Sequence, residues 1–244
     1  MDANRQSPPP QTVSRELLGQ KVADALRSRI ILGHIPDGTR LVEDDLASAF
    51  GVSRGPLREA FVVLERERLV RTRPGKGTYV RALTPDSVRQ LFAVRTILEV
   101  QAAELAALRV AADPTQADVL RALVERFVTA GDNGRLAEQT ELDHAIHRKI
   151  WELSENEHLA DVLRYLTSLS RVIVAVEAES TPGWHESTAR THRMLVESVI
   201  SGDPAVAGDW ARRHLAVSLE GALAILAKLR SGLANEAGPR DDAL

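Results

Sequence analysis

Hydrophobic positions fall at helical spacing along most of this chain, and the places where that spacing breaks divide it into elements. Leu18, Val22, Ala25, Leu26, Ile30 and Ile31 share one face of a helix that should begin near Ser14 or Arg15. The stretch "GHIPDG", with a proline between two glycines, ends it. "EDDLASAF" predicts a short second helix whose leading acids suit the positive end of its dipole. After the tight turn "GVS", a third helix is predicted from Arg54 to about Glu67, with Leu57, Ala60, Phe61 and Leu64 on one face. The period then shortens to two. "LVRTR" and "TYVRA" alternate as strands do, and "PGKG" between them carries the turn residues of a hairpin. Three helices and a two-stranded hairpin make a first domain over residues 14–82.

"TPDS" restarts a helix, with Thr84 as N-cap and Pro85 in the first turn, where its missing N–H costs nothing. Breaks at "ADPT", "GDNG", "SENE", "STPGW" and "SGDP" then predict six helices, over 85–111, 115–130, 134–153, 157–179, 184–200 and 204–230. Short loops between long amphipathic helices imply antiparallel neighbours, so residues 83–230 form a second, all-helical domain. Residues 1–13, with Pro8, Pro9 and Pro10, and residues 231–244 read as disordered tails. The expected fold class is mainly α: a helix-turn-helix domain with a β-hairpin wing, followed by an antiparallel bundle.

Composition narrows the function. A chain of 244 residues, 44% hydrophobic and 27% charged, is a soluble globular protein of one large or two ordinary domains. The absence of cysteine excludes disulfides and thiolate metal sites. No apolar run is long enough to span a bilayer and the N-terminus lacks a signal-peptide core, so a cytoplasmic protein with no membrane partner is expected. The net charge of -3 hides an asymmetry. Residues 1–82 hold 14 Lys and Arg against 10 Asp and Glu, whereas residues 83–244 hold 17 against 24. Within residues 52–82 the balance is 8 against 3. A basic segment on an acidic body points to a localised polyanion contact, although charge alone fits a solvated face equally well.

The local pattern decides between these. A short helix, a three-residue turn and a second helix make the arrangement that places its second helix in the DNA major groove. Gly51 suits the turn because glycine accepts positive φ. Ser53 is placed to cap the new helix with its hydroxyl. Arg54 and Arg58, at i and i+4, leave one face, where a guanidinium can bind guanine or phosphate bidentately. Gly55 lets the backbone approach DNA and offers its N–H to phosphate. Gly75-Lys76-Gly77 makes a narrow cationic wing suited to a minor groove or backbone. From Leu26 to Val80, through "IILGHIPDGTRL", "GVSRGPLREA" and the glycine wing, the chain resembles the winged helix-turn-helix domain of the GntR family of bacterial transcription regulators. The resemblance implies base contacts from Arg54 and Arg58, a minor-groove contact at Gly77 and a backbone contact from Lys76. Three positions depart from the family: Asp44 stands where some members carry an arginine, Gly55 where threonine is usual, and Arg68 where glycine often precedes "LV".

The second domain carries a candidate sensor. Asp143 and His147 are i and i+4 on one predicted helix. His192 lies ten residues before Gly202 and His214 ten after Pro204, so each sits about 15 Å from the turn between their helices. Three helices can therefore aim one Asp and three His at a common point. A nitrogen and oxygen donor set without sulfur suits a divalent ion such as Zn, Ni, Mn or Fe and leaves open positions. Spacing alone fits ordinary surface or satisfied histidines better than a metal site.

"FAVRTILEVQAAELAA", "LDHAIHRKIWELSEN" and "THRMLVESVISGDPAVAGDWARRHL" resemble the all-helical FCD effector domain of the FadR subfamily, and the six-helix count its VanR-type branch. The resemblance implies a metal on Asp143, His147, His192 and His214, a small carboxylate effector on the metal's open positions, and Arg95 as a partner for that anion. The alternative for Arg95 is a structural salt bridge with Glu99 or another acid.

The reading that joins both halves is a homodimeric transcription regulator, more a repressor than an activator. It binds a double-stranded operator with an inverted repeat and answers a small carboxylate. It is not an enzyme. Two competing readings are a metalloenzyme with an Asp and three His, and an architectural DNA binder with an inert dimerisation bundle. The first lacks a separate acid–base carboxylate at a recognisable spacing.

Overall fold

The computed structural model describes residues 15–81 and 83–236, so the expected tail over residues 1–13 lies outside the described residues. The chain separates into two compact units, Met1–Ala82 and Leu83–Leu244.

The first unit runs α1 (Arg15–Ile31), β1 (Arg40–Leu41), α2 (Glu43–Phe50), α3 (Arg54–Arg66), β2 (Val70–Arg73) and β3 (Gly77–Val80). Its core is the pair α1 and α3, in which Leu26, Leu57 and Leu64 are completely buried. Burying side chains of this size stabilises by about 1.5–3 kcal/mol each. Across the end of this pair, the buried Arg27 donates from Nε and Nη2 to the two carboxylate oxygens of Glu67, at 2.8 and 2.7 Å. Burial pulls the Arg27 pKa down, but the hydrogen bonds and charges of Glu67 and then Asp24 together raise it. Gly51 adopts φ 62, ψ 33, the left-handed conformation that its turn requires. Arg68 also takes a positive φ of 61, which accounts physically for the glycine preference at this helix end.

Two expectations need correction here. The sheet has three strands in the order β1-β3-β2, because Arg40 pairs with Tyr79 and Leu41 with Thr78. A two-residue strand is too short to show alternation, so the pattern could not reveal it. Ser53 does occupy the N-cap of α3 with extended backbone, but its side chain makes no capping hydrogen bond. The wing is built as expected. Arg73 pairs with Gly77, Lys76 N–H donates to the Arg73 carbonyl at 2.9 Å, and Gly75 takes φ 70 behind Pro74. That is the residue order of a type II turn.

The second unit is helical: α4 (Pro85–Ala112), α5 (Gln116–Asp132), α6 (Leu136–Leu153), α7 (Glu157–Leu166), α8 (Ser168–Ser180), α9 (Trp184–Ile200) and α10 (Pro204–Glu236). Thr84 caps α4 in a reciprocal capping box with Ser87. α4 lies along α10, and Phe127, Leu120, Ile146, Val196 and Val199 fill the core between α5, α6 and α9. The helix expected over 157–179 is interrupted at Thr167, so the described residues hold seven helices here and the helix count does not favour a six-helix branch. The Thr167 hydroxyl donates to the carbonyls of Leu163 and Arg164 (2.8 and 3.3 Å), the back-bonding that bends helices. Residues 231–236, expected in a tail, extend α10; residues 237–244 lie outside the described residues.

Candidate DNA interface and metal centre

In the first unit the solvent face of α3 presents Ser53, Arg54 and Arg58, while Pro56, Leu57, Ala60 and Phe61 turn inward. Gly55 is half-buried between them, and Lys76 stands exposed at the wing tip beside Gly77, whose φ is 99. The six candidate DNA residues thus lie on the recognition helix start and on the wing. The arginines are not bare: Arg54 is paired with Asp44 and Arg58 with Glu43, both from the first turn of α2.

In the second unit α6, α9 and α10 bring Asp143, His147, His192 and His214 together, all buried. The three imidazoles offer nitrogens that lie within 4.8 Å of one another. His147 Nε2 and His214 Nε2 are 3.1 Å apart, and His192 Nε2 lies 2.9 Å from Asp143 Oδ1. That last approach is close yet lacks hydrogen-bond geometry, so His192 Nε2 is a buried nitrogen without a hydrogen-bond partner. A buried polar atom left in this way costs about 1–3 kcal/mol unless something else satisfies it. The far nitrogens of two rings are anchored. His147 Nδ1 lies 3.2 Å from Glu99 Oε2, and His192 Nδ1 lies 2.8 Å from the Thr188 carbonyl oxygen. Imidazoles that bind a metal are commonly oriented by such a carboxylate or carbonyl behind them. The donors therefore fit a divalent cation.

Charge in this cluster follows from burial and neighbours. Burial alone would raise Asp143, but the charges of His192 and then His147 beside it hold its carboxyl well below the usual range. Burial likewise opposes Glu99, yet Arg95 and then His147 lower it to about 2. His214 is driven far down by burial and by the neighbouring His192 and His147, which keeps it neutral. His147 goes the other way: burial lowers it, but the hydrogen bond and charge of Glu99 together with the charge of Asp143 raise it overall. His144, beside the cluster, falls to about 4, mainly through burial.

Arg95, the expected partner of an effector anion, is engaged within the helical unit. It donates from Nε and Nη2 to Glu99 Oε1 (2.9 and 2.7 Å) and from Nη1 to Ser170 Oγ (2.9 Å). These bonds use three of the five guanidinium N–H groups and form the salt bridge with Glu99 that was the alternative for Arg95, which also lines a hollow with Asp143, His147 and His214. The i, i+4 spacing of Arg95 and Glu99 signalled that pair, but nothing local signalled its reach to His147 on another helix.

A cavity of about 300 Å³ opens beside the histidines. Asp143, His192 and His214 form one wall, while Glu177, Ser187, Thr188, Thr191 and Ser218 supply further polar lining. Glu177 was absent from the sequence expectations. Burial, with the charge of Asp143 added, raises its carboxyl to about 7. It reaches from α8 to α10, where a Cβ on Gly221 would come within 2.1 Å of Glu177 Oε1.

A winged helix-turn-helix unit followed by a helical unit with a buried polar cavity defines a DNA-binding regulator. Comparison with known proteins makes that assignment specific. Residues 18–80 match the family described as bacterial regulatory proteins, gntR family, and residues 90–217 match the FCD domain. The chain belongs to the GntR family of transcription regulators and carries an FCD domain. It is 32% identical to the uncharacterized HTH-type transcriptional regulator YdhC of Bacillus subtilis over 71% of this chain and 77% of that one. It is 27% identical to a probable D-xylose utilization operon transcriptional repressor of Paenarthrobacter nicotinovorans, over 85% of this chain and 89% of that one. Among solved structures, E. coli McbR/YncC shares the fold at a TM-score of 0.64 and 20% identity, covering 87% of this chain and 98% of that one. The matched domains and relatives are transcription regulators, not enzymes.

Proposed function

We propose that this regulator is a homodimeric repressor whose operator affinity is set by a small carboxylate bound at a metal centre in its helical unit. The observation that carries the proposal is the cluster of His147, His192 and His214 with Asp143, walled against a cavity of about 300 Å³. When bound, a divalent cation such as Zn, Ni, Mn or Fe would offer a carboxylate a positively charged anchor. The side chains around it do the rest. Asp143, His147, His192 and His214 hold the cation, Glu99 and the Thr188 carbonyl keep two rings oriented, and the hydroxyls of the cavity select the remainder of the ligand.

On the DNA side, Arg54 and Arg58 read base edges, Ser53 and Gly55 approach the backbone, and Lys76 and Gly77 carry the wing to the duplex. One recognition helix reads only a few base pairs, so a dimer on an inverted repeat supplies the specificity. A dimer surface is available. Val94, Ile97 and Leu108 form an exposed apolar row on α4, and Val162 and Tyr165 stand exposed on the neighbouring α7. The repressor sign is supported by the D-xylose relative. The regulator would act in the cytoplasm, where its operator is. An effector alters operator affinity only by preferring one of two forms that differ in DNA binding.

The test is direct. Natively purified protein should contain one divalent metal per chain by elemental analysis, and a carboxylate should lower its affinity for a selected duplex. His192→Ala combined with His214→Ala should abolish both metal and response while leaving DNA binding by the metal-free protein nearly unchanged. A double variant that keeps stoichiometric metal and the full response would refute the site.

A further inference from the structure

The acids that open α2 face the arginines of α3 in a particular way. Arg54 Nε and Nη2 lie 2.7 and 2.6 Å from Asp44 Oδ1. Arg58 Nε lies 3.1 and 2.9 Å from the two Glu43 oxygens, with Nη2 2.9 Å from Oε2. Each guanidinium is therefore gripped along its Nε/Nη2 edge, and Nη1 of neither makes a hydrogen bond among the described residues. The grip is at the surface: the Arg54, Arg58 and Asp44 side chains are 61%, 65% and 67% exposed.

We propose that Asp44 and Glu43 are positioning residues that act as a specificity filter on DNA binding; this rests on the DNA-recognition reading above. Each carboxylate cancels the charge of an arginine on the face that meets a polyanion. Sequence-independent binding arises from cations that replace the counterions of phosphates. A neutralised arginine adds little to it, and an acid beside a phosphate opposes it. A base edge is affected differently. The carboxylate engages the Nε/Nη2 edge and leaves Nη1 unengaged for guanine, which offers two acceptors, O6 and N7. Exposed ion pairs of this kind are weak, so the pair orients the side chain without locking it away from DNA. Asp44 and Glu43 thus lower sequence-independent affinity while largely leaving affinity for the correct duplex, and the ratio between the two rises.

The experiment uses full-length protein and two probes: the duplex that wild type enriches from a random-sequence pool, and poly(dI-dC) as non-specific DNA. Asp44→Asn should bind poly(dI-dC) about 3- to 10-fold more tightly at 0.1 M salt, with a salt dependence steeper by about 0.9 for each arginine that gains a phosphate. The selected duplex should gain less or lose affinity, so the discrimination ratio falls. Glu43→Gln should act in the same direction through Arg58. Asp44→Glu, which restores the charge, should return the ratio toward wild type. Asp45→Asn removes an equal charge one residue away, at an exposed acid with no arginine partner among the described residues, and should leave the ratio unchanged. Melting temperatures confirm that each variant is folded. An unchanged ratio in folded Asp44→Asn and Glu43→Gln overturns the filter, as does an equal fall in Asp45→Asn. A wild type that enriches no sequence at all would instead overturn the DNA-recognition reading beneath it.

Discussion

At the scale of single residues, the helical unit is organised by titratable groups placed where their charge is costly or captured. Glu177 is the clearest case outside the histidine cluster. Its folded pKa, about 7, lies above the ordinary 4.5, so its stabilising contribution is complete below about pH 4.5 and is lost as pH rises through 7. In chelator-treated protein, Glu177→Gln should therefore melt near wild type at pH 5 and above it at pH 8. Thermal unfolding at the two pH values checks this, and an equal offset at both would show that the Glu177 carboxyl is not charged against its surroundings.

At the scale of elements, the proposed metal centre is backed by a chain of side chains that crosses helices. Ser170 on α8 accepts from Arg95 on α4, Arg95 grips Glu99, and Glu99 faces His147 on α6. Removing the charge in the middle should loosen His147 without touching any of the four proposed metal donors. Glu99→Gln is expected to weaken metal affinity by about 10- to 100-fold, the usual range for groups that orient a ligating histidine. Isothermal titration with Zn(II) reads this, and wild-type affinity in the variant would remove Glu99 from the site.

At the scale of the molecule, the exposed apolar row on α4 is the surface that argues for assembly. Ile97 is its most exposed member at 71%. An Ile97→Glu variant leaves the monomer core intact and puts a charge where two copies would meet. Such a variant should sediment as a monomer and bind an inverted repeat far more weakly than wild type, since only one half-site is engaged at a time. A stable Ile97→Glu dimer would place the interface elsewhere.

What the sequence determined by itself follows from short-range physics. Helical period, capping and turn residues are local, so α3, the wing hairpin, the Thr84 cap and the turn at Gly51 could be read directly. The i, i+4 pair of Asp143 and His147 and the equal distances of His192 and His214 from their shared turn were also local facts. Only the folded bundle decided that they meet. Tertiary structure alone decided features that depend on partners far along the chain. Arg95 pairs with Glu99 as the i, i+4 spacing allows, but its bond to Ser170, 75 residues away, was set by packing. β1 exists because β3 offers it an edge, not because Arg40 and Leu41 carry a strand pattern. The bend at Thr167 depends on one hydroxyl choosing the carbonyls behind it, a choice that hydrophobic periodicity does not record. Glu177 acquired its raised pKa from burial near Asp143 and its room from Gly221, both on other helices. Periodicity reports which face of an element is buried; which charges then find one another is set by how the elements pack.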